Sequence, residues 1–427
     1  MTNLGENIQF AGDQRKVDKI NSEFYGKIMY PWAPGAFEKF NQQGFWRKMI
    51  GQDIGYWNET IIPENANIWV AGCGTNQALF TALKFPDAQV IGSDLSRESL
   101  AFCRKNAMQL GVTNLQLKNE SINEVLYSKQ FDYIICTGVI HHNSEPQISL
   151  LKLAKALKPD GILEIMVYNK FHRLRTASFQ LAIRMLTNCI DKPILEKELP
   201  IARMLANDFK ENNFMSHLLN NVQYEPDAAF CDALLQPIEH SYTIKSLEKM
   251  GLECNLELLT FTVDQFSQAE GCYDWNLNFK DLKLQELYNE LPDTSRWEIT
   301  NLLQGENSPM LWFYMQRKDS VRLRKSEMKI CQEFFNTKFK RVTLIKELYV
   351  LGENNNYKRE PMPVEFPAQL KNLPYPDEAK EVYATLDEAV AIGRTIEKCN
   401  IDLSFNMLNK LRLCLATASS PYLEAYK

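Results

Sequence analysis

Apolar residues in the central part of the chain occur in short runs or alternations that predict strands. Five segments have this pattern: 67–73, 88–95, 114–121, 131–138 and 161–169. Three segments between them have the helical spacing of apolar residues: 76–85, 96–111 and 146–157. Because strands and helices of this length alternate, we predict an α/β fold with a doubly wound, mainly parallel sheet.

The segments on either side of this core are less regular. Residues 1–60 are rich in aromatic side chains and predict a helical lid region that packs on the core at 61–170. Residues 171–319 are predicted to cover the core and to complete its domain. They include three predicted elements: a long helix near 172–190, a helix at 243–250 and a closing strand at 311–318.

The composition changes after the charged segment KDSVRLRKSE, so we place a domain boundary near residue 319. Residues 320–427 are predicted to form a separate, mainly helical C-terminal domain. Within it, GENNNYKREPMP at 352–363 predicts a loop, and two or three helices are expected beyond that loop.

The overall composition is typical of a globular protein. Of the 427 residues, 45% are apolar and 24% are charged, and the formal net charge is −5. This charge gives no sign of a nucleic-acid-binding surface, so no nucleic-acid partner is expected. No apolar run approaches the roughly 20 residues of a membrane span, so no membrane partner is expected either.

The cysteines and the N-terminus bear on the location of the protein. Ten cysteines occur without any CxxC pair, which is typical of a reducing compartment and argues against a zinc site. The N-terminal segment lacks the apolar core of a signal peptide. We therefore expect a cytoplasmic protein that holds no metal.

The loop VAGCGTNQ at 70–77 is the main candidate for ligand binding. Gly72 and Gly74 follow a predicted strand, and glycines there allow a ligand to approach the backbone closely. Asp94 ends the next strand, 20 residues after Gly74, which is the spacing of a carboxylate that binds ribose hydroxyls. The dinucleotide fingerprint GxGxxG has a third glycine, which the stretch GCGTNQ at 72–77 lacks. A nucleoside ligand without a pyrophosphate, such as S-adenosylmethionine, has no such requirement.

Three stretches carry a resemblance to a known family: VAGCGTNQALFTALKFPDAQVIGSDLSRESL, FDYIICTGVIHHNSEP and LLKLAKALKPDGILEIMVYN. They resemble the successive motifs of class I S-adenosylmethionine-dependent methyltransferases, most nearly the bacterial group often fused to tetratricopeptide repeats. The resemblance covers 67–169, and more weakly 232–247 and 290–317. It implies a Rossmann-like fold, S-adenosyl-L-methionine as cofactor, and methyl transfer to an oxygen or nitrogen of an acceptor. The size of the covering region at 171–319 indicates a bulky acceptor: a natural product, a peptide or a protein side chain.

The resemblance also assigns the cofactor-binding positions. They are Gly72, Cys73, Gly74, Asn76, Gln77, Asp94, Leu95, Glu120, Ser121, Thr137 and Gly138. By this resemblance Asp94 binds the ribose diol, Leu95 packs on the adenine, and residues near Ser121 reach its amino group. Many relatives have an acid at the position of Ser121, and the adjacent Glu120 is expected to substitute for it. Ala71 and Asn76 are further departures from the family pattern.

Several side chains are candidates for chemistry or for acceptor binding. His141 and His142 follow the fourth predicted strand, and His240 and Tyr242 lie in the segment expected to cover the same edge. Each is a candidate base or acceptor-binding group, and packing in the loops is the alternative for each. Three tyrosines are further candidates: Tyr25 and Tyr30 as contacts of a lid, and Tyr168 as part of the acceptor pocket.

Two other classes of function remain open from the sequence alone. Ala71, Asn76 and Ser121 are compatible with a non-catalytic binding or assembly module that keeps the fold. A nicotinamide-dependent oxidoreductase is disfavoured by the missing third glycine. A homodimer is compatible with a covering region of this size.

Overall fold

The computed structural model describes residues 14–28, 36–40, 42–190, 193–209, 214–222, 224–263, 274–352, 354, 356–363 and 376–427. The strands in this part of the chain are β1 (Ala36–Phe40), β2 (Asn67–Ala71), β3 (Gln89–Asp94), β4 (Leu115–Asn119), β5 (Phe131–Thr137), β6 (Leu157–Val167), β7 (Leu256–Phe261), β8 (Leu311–Arg317), β9 (Lys338–Arg341), β10 (Ile345–Leu351), β11 (Tyr357–Pro363) and β12 (Leu423–Tyr426).

The helices fall into three groups along the same residues. Those around the sheet are α1 (Gln14–Lys27), α2 (Phe45–Asp53), α3 (Gln77–Lys84), α4 (Arg97–Gln109) and α5 (Pro146–Ala156). Those of the covering region are α6 (Lys170–Thr187), α7 (Leu195–Asp208), α8 (Ser216–Val222), α9 (Asp227–Leu234), α10 (Ile244–Glu253), α11 (Leu282–Asn289) and α12 (Asp293–Gln304). Those of the C-terminal segment are α13 (Glu327–Phe335), α14 (Asp377–Thr385), α15 (Ile392–Lys398) and α16 (Phe405–Leu415).

A seven-stranded sheet forms the centre of the molecule, in the order β4-β3-β2-β5-β6-β8-β7. The pairs among β2 to β6 are parallel, and β8 is antiparallel to both of its neighbours. The predicted doubly wound, mainly parallel sheet is therefore confirmed. β7 was not predicted, because its run LELLTF continues the apolar spacing of α10 and periodicity alone does not separate the two.

The order of the strands decides where a ligand site can form. β3 and β4 lie on one side of β2, and β5 and β6 lie on the other, so the connections leave β2 in opposite directions. A crevice opens beside the carboxyl ends of the strands at such a switch point. The loop after β2, which contains both candidate glycines, lies at this position.

Two segments outside the central sheet differ from the prediction. Residues 36–40, expected within a helical lid region, form β1, which pairs with β10. Residues 357–363, expected in a loop, form β11, which pairs with the other edge of β10. β11 has a polar sequence with two prolines, which is tolerated in an edge strand but gives no strand pattern. The expected helices beyond this segment are confirmed as α14, α15 and α16.

The C-terminal segment packs into the same apolar core as the sheet. One cluster of buried side chains contains residues of the sheet, of α2 and of α13 to α16. Gln52 of α2 is buried and joins the two parts. Its side-chain amide donates to the carbonyls of Ala416 and Leu423 and accepts from the N–H of Ala425. The boundary near 319 stays a prediction, but the residues on its two sides share buried contacts.

Replacing Gln52 with Ala should destabilise the protein by about 2–4 kcal/mol, because three buried backbone groups lose their hydrogen-bond partner. Urea unfolding monitored by circular dichroism measures this. Gln43→Ala, at an exposed glutamine just before α2, is the matched control and should change the free energy of unfolding by less than about 0.5 kcal/mol. A loss below 1 kcal/mol for Gln52→Ala would show that the C-terminal segment is not held by this side chain.

Candidate active site

The glycine loop makes a tight left-handed turn directly after β2. Gly72 and Gly74 have φ values of 73° and 52°, which side chains with a Cβ rarely adopt. A Cβ on Gly72 would lie 2.5 Å from Cγ2 of Val139, so the loop after β5 also excludes a side chain there. The N–H groups of Gly72 and Cys73 donate to the carbonyl of Ser93 at 2.8 and 2.9 Å, which fixes the turn to β3.

Asp94 binds this turn through its carboxylate. Oδ2 accepts from the N–H of Gly74, and Oδ1 accepts from the N–H of Ser96, both at 2.8 Å. Burial raises the pKa of the Asp94 carboxyl, and the two N–H donors oppose that rise. The acid and the turn, predicted separately from the sequence, thus form one hydrogen-bonded unit at the carboxyl edge of the sheet.

Asn76 has a structural contact of its own. Its side chain is fully buried, with Nδ2 donating to Thr75 Oγ1 and Oδ1 accepting from Asn106 Nδ2 of α4, each at 3.0 Å. The side chain therefore joins α3 to α4, and only the backbone of Asn76 is left for a ligand at the loop. Cys73 is buried, and burial raises the pKa of its thiol well above the ordinary value, which disfavours a nucleophilic thiolate.

Gln77 and Thr137 meet at the other side of the loop. Gln77 Nε2 donates to Thr137 Oγ1 at 2.5 Å, joining the start of α3 to the end of β5. Gly138 follows with φ 76°, so the chain turns sharply beside this contact. Both residues predicted at the end of β5 therefore border the glycine loop.

The end of β4 contains two of the predicted cofactor positions, Glu120 and Ser121. Oε1 of Glu120 accepts from the hydroxyl of Tyr127 at 2.5 Å. Ser121 is buried, and its hydroxyl donates to Oδ2 of Asp18 at 2.5 Å. Asp18 lies on α1, 103 residues earlier in the chain, so no local pattern in the sequence identifies it.

Helix α1 crosses the carboxyl ends of β3, β4 and β5. Besides the Asp18 contact, Ser22 Oγ donates to the carbonyl of Leu95 at 3.2 Å, and Asn21 Nδ2 donates to that of His142 at 2.8 Å. Tyr25, also on α1, lies edge-on to the ring of His142 with 6.4 Å between ring centroids. Tyr30, the other predicted lid residue, lies outside the described residues.

The two consecutive histidines are both buried. His141 stacks on the ring of Tyr168, with centroids 3.8 Å apart, and burial lowers its pKa well below the ordinary value. Burial likewise lowers the pKa of His142 to about 4. Nδ1–H of His142 donates to the carbonyl of Ile238 at 2.8 Å, so this ring holds the covering segment against the sheet.

The covering segment, which contains Ile238, His240 and Tyr242, continues the carboxyl edge of the sheet beyond β6. The N–H of His240 donates to the carbonyl of His141, and the N–H of Tyr242 donates to that of Tyr168, both at 2.8 Å. Burial lowers the pKa of His240 and raises that of Tyr242. Both rings are half-buried. The structure thus pairs the backbone of His240 and Tyr242 with that of His141 and Tyr168 at this edge, and their roles stay predictions.

A cavity of about 860 Å³ lies beside the glycine loop, on the face of the sheet covered by α2, β1, β10 and residues 418–422. Gln77 lines it at the edge of the sheet. Asp53 and Glu164 lie deeper, and each is bonded to aromatic side chains: Asp53 to the hydroxyl of Tyr314 at 2.9 Å, and Glu164 to the indole N–H of Trp312 at 2.7 Å. The cavity is therefore lined largely by aromatic side chains, with the buried Asp53 and the half-buried Glu164 among them.

Comparison with known proteins agrees with this geometry. Residues 64–236 match a family model described as a methyltransferase domain. An uncharacterized protein of Synechococcus sp. is 28% identical over 242 residues, which are 55% of this chain and 57% of that protein. A tRNA U34 carboxymethyltransferase of Nautilia profundicola is 25% identical over 44% of this chain and 67% of its own length. An uncharacterized protein of Rickettsia prowazekii is 38% identical over 34% of this chain and 58% of its own length.

Among solved structures, PKMT2 from Rickettsia typhi in complex with AdoHcy is similar over 90% of this chain and 75% of that chain, with a TM-score of 0.57. Its sequence identity is 16%, so this likeness concerns the fold alone. Residues 64–236 match the methyltransferase domain, and the fold is that of class I S-adenosylmethionine-dependent methyltransferases, which agrees with the predicted class and cofactor. This chain spans a little over half the length of two of the curated relatives it matches. The narrower likeness to proteins fused to tetratricopeptide repeats stays a prediction.

The residues at the carboxyl edge fit the cofactor of this class. Gly72 and Gly74 leave the backbone open, and the Asp94 carboxylate lies at the end of the neighbouring strand, where ribose hydroxyls are bound in such folds. Among the described residues, no three or more His, Cys, Asp or Glu side chains are placed to hold a metal ion. None of the described helices has the length and apolar content needed to cross a membrane.

Asp53 makes the stability of the protein depend on pH. Burial raises its pKa to about 7, so the folded protein binds this proton more tightly than the unfolded chain does. Stability therefore falls as pH rises from about 4 to 7. Asp53→Asn keeps an acceptor for the N–H of Ala418 and removes the charge.

We expect Asp53→Asn to match the wild type at pH 4 and to be more stable by about 3–4 kcal/mol at pH 8. Chemical denaturation of both proteins across this range measures the difference, with the pH 4 values as the internal control. A difference that does not change with pH would show that folding does not raise the pKa of Asp53.

Proposed function

We propose that this protein transfers a methyl group from S-adenosylmethionine to an oxygen or nitrogen atom of a bulky acceptor. One observation carries the proposal: the glycine turn and the Asp94 carboxylate form a single unit at the switch point of the sheet, 2.8 Å apart. When bound, the cofactor supplies an electrophilic methyl group on its sulfonium. The work left to the protein is to position the two molecules and to take up a proton.

The positions of the side chains suggest separate roles. Gly72 and Gly74 would hold the amino-acid part of the cofactor against the backbone, and Asp94 would bind its ribose. Thr137, held by Gln77, would border the reacting methyl. Each of these assignments rests on the contacts around the glycine loop.

His240 is the group we propose as the base. Burial lowers its pKa, so the ring is neutral near pH 7 and can accept a proton. Tyr242 lies two residues further on and would orient the acceptor through its hydroxyl. His142 is committed to the carbonyl of Ile238, and His141 is enclosed with no exposed surface, so we give both a positioning role.

The aromatic cavity beside Gln77 supports a bulky acceptor. It is large enough for a peptide side chain or a small natural product, and Gln77 lines it at the edge of the sheet. His240 and Tyr242 are not among its lining residues, so the reacting end of an acceptor held there has to extend past Gln77 to the carboxyl edge. The tRNA-modifying relative matches less than half of this chain. With a net charge of −5, we propose a protein, peptide or small-molecule acceptor over an RNA.

Binding of the product S-adenosylhomocysteine tests the cofactor part of the proposal. Titration calorimetry should detect it with the wild-type protein and should detect no binding of NAD. Asp94→Asn removes the charge with little change of shape and should weaken binding about 10- to 100-fold, because hydrogen bonds to charged groups are worth roughly 1.5–3 kcal/mol. Absence of binding to the wild type at millimolar ligand would favour a non-catalytic module instead.

Transfer of a labelled methyl group tests the proposed reaction and the proposed acceptor class. The protein is incubated with labelled S-adenosylmethionine in a bacterial lysate, with parallel samples treated with ribonuclease or protease, and the labelled product is identified by mass spectrometry. We expect label that survives ribonuclease, and His240→Ala should lower the rate on the order of 100-fold while cofactor affinity changes less than about three-fold. Label lost with ribonuclease would identify RNA as the acceptor and contradict the proposed acceptor class.

A further inference from the structure

At the end of β4, one oxygen of the nearest acid is already engaged in a hydrogen bond. Glu120 is bonded to Tyr127, and Ser121 provides only a hydroxyl group. The carboxylate that reaches this place is that of Asp18. Its Oδ2 accepts from Ser121 Oγ, and its Oδ1 accepts from Gln14 Nε2, both at 2.5 Å.

The strand order determines which part of a nucleoside ligand lies here. The turn after β2 receives one end of the ligand, and Asp94 at the end of β3 receives its ribose. The base then extends away from β2, and the neighbour of β3 on that side is β4. Ser121 and its partner Asp18 therefore lie on the side of the base.

Helix α1 is held in this place by contacts other than that of Asp18. Ser22 is bonded to the carbonyl of Leu95, Asn21 to that of His142, and Gln14 to the side chain of Asn143 at 3.1 Å. These contacts reach the loops after β3 and β5. The position of the Asp18 carboxylate thus does not depend on the serine alone.

We propose that Asp18 is the acid that recognises the amino group of the adenine, so that the lid helix completes the base subsite. This rests on the proposed function, since it assumes that the cofactor binds at the glycine loop. A carboxylate accepts a hydrogen bond from an exocyclic amino group and repels an oxo group in the same position. A site of this kind rejects a base that lacks the donor. Because Asp18 lies on α1, the base subsite is complete only with α1 in the position that these contacts define.

The test compares two ligands that differ only at this group. In S-inosylhomocysteine, an oxo group and a ring N–H replace the amino group and ring nitrogen of S-adenosylhomocysteine. Calorimetry on the full-length wild type should show S-adenosylhomocysteine binding about 10- to 100-fold more tightly. The Asp18→Asn variant should bind S-adenosylhomocysteine about 10-fold less tightly. It should also lose most of the preference over S-inosylhomocysteine, because the amide of Asn can donate to the oxo group of that ligand.

Two further variants separate recognition from structure. Glu23→Gln removes the same charge from an exposed position of α1 and should keep the wild-type preference. The double variant Asp18→Asn with Ser121→Asp has a carboxylate again, now on the β4 side, and should recover the preference for S-adenosylhomocysteine. A merely structural role of Asp18 would not predict this recovery. Melting temperatures show whether each variant is folded.

The outcomes are distinct. A folded Asp18→Asn protein that keeps the full preference overturns the proposal. If Asp18→Asn does not fold, Ser121→Ala is measured instead. This variant keeps the Asp18 carboxylate, so retention of the preference for S-adenosylhomocysteine supports the proposal and its loss overturns the proposal. A wild type that binds neither ligand overturns the proposed function and this inference with it, whereas one that binds both equally overturns only the inference.

Discussion

The hydrogen bonds of the Asp94 carboxylate are the constraint on which the carboxyl edge of the sheet depends. One oxygen holds the turn that leads into α3, and the other holds the residue that caps α4. The N-terminal ends of these two helices thereby lie at the same edge of the sheet, and a helix N-terminus gives a positive local potential. A single carboxylate thus organises the turn and two helix ends together.

Burial, more than residue type, separates the roles of the three histidines near this edge. All three have a lowered pKa, so none is charged near neutral pH. His141 and His142 have almost no exposed surface, and their rings fill the space between β6 and the covering segment. His240 is carried by the backbone of that segment and is half-buried. The same chemical group therefore serves as packing at two positions and is accessible at one.

The sequence predicted the central sheet well because its strands are consecutive and their signals are local. Apolar runs and caps placed β2 to β6 and β8 to within four residues, and the spacing of Gly74 and Asp94 identified the ligand edge. The failures have the opposite cause. β1 becomes a strand only through pairing with β10, and Asp18 meets Ser121 only because α1 crosses the carboxyl edge, 103 residues away in the sequence. The assignment of Glu120 was made by adjacency along the chain and stays a prediction.

The pairing of β1 with β10 has a consequence for how the molecule forms. Ala36 lies opposite Val350, so this ladder cannot close until the ribosome has made most of the chain. Contacts of such long separation cost loop entropy before they contribute stability, and they slow folding. Until that moment the apolar side of α2 and the face of the sheet around Tyr133 lack their cover. The nascent protein therefore passes through a stage with an exposed aromatic surface, which chaperones are suited to bind.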